Sequence, residues 1–487
     1  MAQPGVILCA DIGSSSLKAA LIDFDGRERA FAREPYPPEK LAAGENGSGA
    51  PITTADWEAA FAGAIRRLSA GTGLLRAQAV CISGNGPTVV PVTDGADSPA
   101  PLHWYDRRAP LAGNVEGRKS FFLPRAAWFM ERRPREYAET RYLFSSQEWL
   151  SYRLGADPFT TLPSPAYKPY YWDTDQCAGF GIDPERFPPM VPLGCIVGGV
   201  SEEASRRFGL AEGIPLVSGG PDFIMALIGT GVLKPGMVCD RAGSSEGINI
   251  CTAAPAAVPG LRTLPHAIEG LWNLGAVMPV SGRLFDWYRH ITDQENRPYA
   301  EILESFRAPG MNRLLRRVSG AEFPAVFQRG GTAFSFPQGL PSRVELGVTV
   351  LESLGFMVRR ILDDLAARNF PVEEMRLSGG QAKSPLWNRF KADITGVRLL
   401  APEILDGELA GDACAAAAAL GEASGIEEAA RNMIRIKHTY ESDPVIHARY
   451  EEQYAAYREA ERRFVGDEDT ILRIPAPGSS VSSRRGG

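Results

Sequence analysis

Residues 11–23 read DIGSSSLKAALID, directly behind the apolar run VILCA of residues 6–10. VILCA predicts a buried strand, the Gly-Ser cluster a turn, and LKAALID a second strand running on to the turn Phe24-Asp25-Gly26. A strand–turn–strand opening excludes a dinucleotide-binding fold, in which the first glycine turn leads into a helix. Two readings of the turn stand side by side. Gly/Ser clusters commonly form exposed hairpin turns. They also suit anions: Gly13 admits a ligand to the backbone, Ser14, Ser15 and Ser16 can donate to phosphate oxygens, and Lys18 adds positive charge. Asp11, at the strand end, could hold a hydrated Mg²⁺. The loop matches neither GxxxxGK[ST] nor GxGxxG.

Working outward, short apolar strands alternate with helices. AQAVCISG (77–84) is a strand ending in glycine, and TADWEAAFAGAIRRLSAG (54–71) is a helix behind a Thr/Asp start. IPLVSGGPDFIMALIGTG (214–231) reads as strand, glycine turn and apolar helix. VTVLESLGFMVRRILDDLAARN (348–369) is amphipathic at helical spacing. MRLSGG (375–380) is a strand into a glycine turn, and SPLWNRFKADITG (384–396) a helix closed by Gly396. GDACAAAAALG (411–421) is a helix of small residues suited to close packing. This pattern is α/β. One internal echo stands out: CADIGSSSLKAALI from Cys9 and VCDRAGSSEGINIC from Val238 each place Gly-Ser-Ser shortly after an Asp.

At 487 residues the chain predicts two domains. A net charge of −6 argues against a nucleic-acid protein, and the apolar runs are too short to cross a membrane, which takes roughly 20 residues. MAQPGVILCADIG lacks the basic start of a secretory signal. Seven cysteines without a CxxC pair read as reduced, buried thiols, and none of the five histidines is spaced as a metal ligand. A cytoplasmic protein is expected.

Asp222, after Gly219-Gly220-Pro221, is either a helix N-cap or a carboxylate placed to accept the proton of a substrate hydroxyl. PLHWYDRRA (101–109) combines aromatics with Asp106, Arg107 and Arg108, as polyol recognition or a solvated turn would. AYKPYYWD (166–173) is aromatic-rich, which a packed loop explains equally well. LSGGQAKSPLWNRFKAD (377–393) has a Gly-Gly turn against which a flat ligand could lie.

In this order the segments resemble the FGGY carbohydrate kinases of the sugar kinase/actin/heat-shock ATPase superfamily. ADIGSSSLKAALID looks like the first phosphate motif, the stretch CISGNGPTVVPVTDGADSPAPLHWYDRRA like the sugar-contacting strand and W-x-D-x-R segment, and GLAEGIPLVSGGPDFIMALIGTG like the catalytic aspartate's segment. RAGSSEGI is similar to the second phosphate motif, and LSGGQAKSPLWNRFKADITG to the adenosine motif, followed by GELAGDACAAAAALG. The likeness runs from about residue 6 to 460.

The resemblance implies an α/β fold of two ribonuclease-H-like (actin-like ATPase) domains, residues 1–235 and 236–470, with an active-site cleft between them and a disordered tail at 471–487. It implies ATP-dependent phosphorylation of a sugar or polyol hydroxyl, with Asp222 as general base and Asp11 and Asp222 placing Mg²⁺. Gly13, Ser14, Ser15 and Lys18 would address the phosphates from one side, Gly243, Ser244 and Ser245 from the other. Gly379, Gly380, Gln381 and Asn388 would lie along the adenosine, and Asn85, Trp104, Asp106, Asp222 and Phe223 around the sugar. The partners are then a small carbohydrate and ATP, with no nucleic acid or membrane; a homodimer stays open.

Gly84-Asn85-Gly86-Pro87 departs from the family's Gly-Gln stretch, and Phe223 and Pro221 from the usual neighbours of the aspartate. The nucleotide end therefore matches while the sugar end is rebuilt, leaving the acceptor open. The alternative is a catalytically impaired nucleotide- or sugar-binding sensor of the same fold.

Overall fold

A computed structural model describes residues 5–37, 39–40, 51–70, 75–93, 99–106, 119–243, 245–258, 260–278, 281–306, 326–328, 331–333 and 342–465. Ser244, Arg107, Arg108 and the expected tail at 471–487 lie outside the described residues.

Val6–Ile12 (β1) and Ser16–Asp23 (β2) form an antiparallel hairpin with Asp11 opposite Lys18 and Ile12 opposite Leu17. Glu28–Pro35 (β3) pairs outside β2, and Ala79–Gly84 (β4) lies parallel on the other side of β1. Ile196–Gly199 (β5) and Pro215–Val217 (β6) complete a six-stranded sheet of order β3-β2-β1-β4-β6-β5. Both faces of β1 and β4 are covered, which is why they read as continuous apolar runs rather than alternating ones.

The second sheet contains Val238–Ala242 (β7), Glu246–Thr252 (β8), Arg262–Pro265 (β9), Trp272–Met278 (β10), Glu374–Ser378 (β11), Arg398–Pro402 (β12) and Ile436–Tyr440 (β13). Its order is β9-β10-β8-β7-β11-β12-β13. β7 repeats the place of β1: an antiparallel partner across a Gly-Ser turn on one side, a parallel strand on the other. The sequence echo is thus one hairpin used twice.

Helices cover the sheets. Thr54–Leu68 (α1) starts in a Thr53/Asp56 capping box and buries Trp57, Phe61 and Ile65 against one face of the first sheet. On the opposite face lie Asp222–Gly229 (α2) and, from the second half of the chain, the small-residue helix Gly407–Ala419 (α5). A Cβ at Gly411 would collide with the Met225 carbonyl oxygen, so the two backbones pack in direct contact. Arg343–Ala366 (α3), Pro385–Thr395 (α4) and Pro444–Val465 (α6) build the core of the second sheet; α4 is capped by Ser384 and closed by Gly396 at φ +72°. All seven cysteines are free thiols. Among the described residues no helix is long and apolar enough to cross a membrane.

Candidate active site

The first Gly-Ser turn is braced from three sides. Gly13 N–H donates to Ser16 O (3.1 Å) and closes the hairpin, while Tyr36 N–H donates to Ser15 O (3.0 Å). Asn85 Nδ2 donates to Gly13 O (3.0 Å) and its Oδ1 accepts from Thr88 Oγ1 (2.7 Å), so this buried amide links the turn to Thr88. Trp104 Nε1 donates to Ser14 Oγ (3.0 Å). Asn85 and Trp104, two of the residues expected around a sugar, therefore hold the first Gly-Ser hairpin. Behind Trp104 sits a cation not singled out in the sequence. Arg125 is fully buried and donates to His103 O and Trp104 O, both at 2.6 Å. Burial pulls it down to about 10, with Asp106 opposing. Asp106 is half-buried, its N–H bonded to His103 O (2.9 Å).

Asp222 is brought beside this hairpin by backbone contacts. Gly84 N–H donates to Gly220 O (3.3 Å) and Asn85 N–H to Ile12 O (2.9 Å), tying the Gly-Gly-Pro turn to the ends of β4 and β1. Pro221, not Asp222, occupies the N-cap; Asp222 is the first helical residue and its Oδ1 accepts from Phe223 N–H (2.6 Å). Arg241 Nη1 stands 3.3 Å from Asp222 Oδ1 and 3.8 Å from Glu408 Oε1. Lys18 Nζ lies 3.1 Å from Asp406 Oδ1, 3.8 Å from Asp11 Oδ2 and 4.0 Å from Glu408 Oε2. Lys383 Nζ closes the chain of charges on Asp406 Oδ2 at 2.7 Å.

The charges perturb one another. Asp11 is pushed up to about 8, first by burial and then by Glu408 and Asp222, with Lys18 and Arg241 opposing. Burial works against Lys18, yet Glu408, Asp406 and Asp11 hold it above its ordinary range. Arg241 is likewise held high against burial by Asp222, Glu408 and Asp11. Asp406 is held low despite burial by Lys18 and Lys383.

The second turn has the same closure, Gly243 N–H to Ser245 O at 2.8 Å. Strand alternation separates its two charged predecessors. Asp240 turns into the core, where Lys391 Nζ bonds it at 2.5 Å and Glu246 at 2.6 Å. Arg241 faces the Asp222 cluster. The three-dimensional counterpart of Asp11, two residues before the glycine, is therefore Arg241 and not the aspartate that the sequence echo aligns with it. Ser281 Oγ donates to Glu246 Oε2 (2.5 Å), and Gln381 Nε2 donates to Ser281 Oγ (2.7 Å) and Gly243 O (3.4 Å). This network joins the Gly379-Gly380 turn to the second Gly-Ser turn. Gly379, at φ +94°, presses on β7 so closely that a Cβ would meet Ala242 O, whereas Gly380 faces open space. Asn388 is buried, with Nδ2 on Ala382 O at 2.8 Å. Phe223 is half-buried and packs against the core between the first sheet and α5.

Arg241, Asp406, Glu408, Lys383 and Arg125 were not legible as site residues. The one available signal was the position of Arg241 two residues ahead of the second Gly-Ser turn.

Two mixed sheets, each with a Gly-Ser hairpin whose neighbouring charged side chains meet those of the other, give the chain a two-domain actin-like fold. Family models match residues 118–229 and 241–420 as the N-terminal and C-terminal domains of the FGGY family of carbohydrate kinases. Autoinducer-2 kinase of Escherichia coli strain K12 is 24% identical over 358 residues, spanning 68% of this chain and 67% of that protein. Gluconate kinase from Lactobacillus acidophilus superposes with a TM-score of 0.74 at 16% identity, over 96% of this chain and 99% of that one. A ligand-bound xylulose kinase from Lactobacillus acidophilus gives 0.73 at 17%, over 94% and 98%. The structural likeness is one of fold. The chain belongs to the FGGY family of carbohydrate kinases and uses ATP to phosphorylate a hydroxyl group of a sugar or polyol.

Proposed function

We propose that Asp222 is the general base of this kinase and that the transferring phosphoryl group passes between the Gly13–Ser15 and Gly243–Ser245 turns. The observation that carries the reading is the meeting of Asp222, from the first sheet's side, with Arg241, from the strand leading into the second turn. A carboxylate there takes the proton of the attacking hydroxyl. Lys18 and the two turns align and neutralise the phosphates, which is most of what phosphoryl transfer needs.

The residues fit Mg²⁺. Four carboxylates, Asp11, Asp222, Asp406 and Glu408, gather around Lys18 and Arg241, so oxygen donors for a hard cation are at hand. Mg²⁺ is commonly held by one or two carboxylates together with substrate phosphates. Asp11 and Asp222 would hold it, and it would supply charge neutralisation at the phosphate oxygens. Gly379, Gly380 and Gln381 line the adenosine, with Asn388 supporting their turn. The acceptor is a small carbohydrate or polyol lying against Trp104, Asp106, Asn85 and Phe223. Free thiols support a cytoplasmic enzyme. The division at residues 235/236 is supported by the start of the second sheet at Val238. Nothing among the described residues favours the impaired sensor.

Asp222→Asn is expected to abolish ADP release with any acceptor found in a panel of pentoses, hexoses, polyols and sugar acids. ATP affinity measured without Mg²⁺ should stay within about threefold by calorimetry, because the base contacts the acceptor and not the adenosine. Wild-type turnover in this variant would refute the assignment.

A further inference from the structure

Resting on the reading of Asp222 as base, we propose that Arg241 is a catalytic residue. On this proposal its guanidinium leaves Asp222 when ATP enters and takes the equatorial oxygens of the transferring phosphoryl group.

Position comes first. Arg241 stands two residues before Gly243, on the strand that delivers the second phosphate turn, while Asp222 begins a helix on the first sheet. A side chain spanning these two elements lies where the acceptor oxygen and the phosphoryl group must meet, between base and phosphate turn. Lys18 addresses the same cluster from the opposite hairpin. Two cations thus reach the reaction centre from two sheets.

Its present partners come second. Nη1 stands 3.3 Å from Asp222 Oδ1 and 3.8 Å from Glu408 Oε1, both long for charge-assisted contacts of a guanidinium. The Arg241 side chain is 28% exposed, against 8% for Glu408. The guanidinium is therefore held by two carboxylates at long range on a partly exposed side chain, and a terminal phosphate of charge near −2, met at closer range by two donors, competes with them. Its planar fork offers two parallel donors to two oxygens, which an ammonium does not.

The step balances. A lone pair of the acceptor oxygen forms the new P–O bond, and the bond from the γ-phosphorus to the bridging oxygen breaks with its electron pair staying on ADP. The hydroxyl proton passes to the Asp222 carboxylate, and Arg241 stays protonated throughout. While Arg241 holds Asp222, the base is masked; release of the base is thereby coupled to arrival of the phosphoryl group.

The test uses the full chain with an acceptor identified by ADP release. Arg241→Ala is expected to lower kcat by about 10²–10³-fold, with both KM values and the ADP Kd within about threefold, as for loss of a group that acts in the transition state. Guanidinium chloride at about 20 mM should restore part of the rate to Arg241→Ala but none to Asp222→Asn, and Arg241→Lys should fall between. If Arg241→Ala does not fold, as judged by thermal unfolding, Arg241→Gln replaces it in the same assays. A kcat within threefold of wild type overturns the proposal. So does a loss confined to the acceptor KM, which would make Arg241 a binding group, and so does a kcat loss that guanidinium does not rescue. Failure of the base assignment is seen separately, as activity in Asp222→Asn.

Discussion

Arg241 and Asp240 are neighbours with opposite fates, and the difference lies in the period of a strand. One side chain faces the cleft and the other the core, and nothing in VCDRAGSS says which face the cleft occupies. Asp11 and Asp222 were legible because they flank glycine turns, where a short carboxylate is exposed by the local backbone. Buried titratable groups away from the site were not. Glu352 lies on α3 with Tyr450 Oη as its partner at 3.3 Å, and burial pushes it up to about 8, the tyrosine opposing. Between its ordinary 4.5 and about 8 the folded chain holds a proton that the unfolded chain has released. Stability from this group is therefore present at low pH and lost as pH rises, by at most about 1.4 kcal/mol per unit. Glu352→Gln is expected to unfold in urea much like wild type at pH 5 and to gain on it steadily toward pH 8. A difference that does not change with pH would show that Glu352 is ionised in the folded state.

At the scale of elements, most strands and helices followed from pattern. β1, β2, β4, α1, α3, α4 and β11 form where apolar period, caps and glycine stops put them. Ser342 caps α3 with Glu345, and Gly396 ends α4 in the left-handed region, both written locally. The run of alanines in α5 announced close packing but not its partner. That partner is α2, whose first residue is Asp222, so the interface sets the position of this carboxylate, the proposed base. Gly411→Ala places a methyl group against the Met225 carbonyl and should cost about 1–3 kcal/mol in denaturant unfolding. Because relief requires α2 to shift, kcat should fall at least tenfold while the ADP Kd is little changed. Full activity in this variant would mean that α2 and the base move independently.

At the scale of the molecule, Asp406 ties Lys18 of the first sheet to Lys383 beside the Gly379-Gly380 turn of the second half. Removing its charge should loosen the two halves when no nucleotide is bound. Asp406→Asn is expected to show a larger radius of gyration by X-ray scattering without ligand, returning to the wild-type value with a non-hydrolysable ATP analogue. Identical ligand-free scattering would show that other contacts hold the cleft. The residue order by itself determined the family likeness, the two Gly-Ser hairpins and the carboxylate at the start of α2, because turns, caps and strand runs are decided by neighbours in sequence. Only the tertiary structure decided that Arg241 meets Asp222, that Asp406 and Glu408 gather Lys18 and Arg241, and that α5 returns to the first sheet. Those are contacts across about 20 to nearly 400 residues of chain, chosen by which faces of two sheets are buried together and invisible to any local pattern.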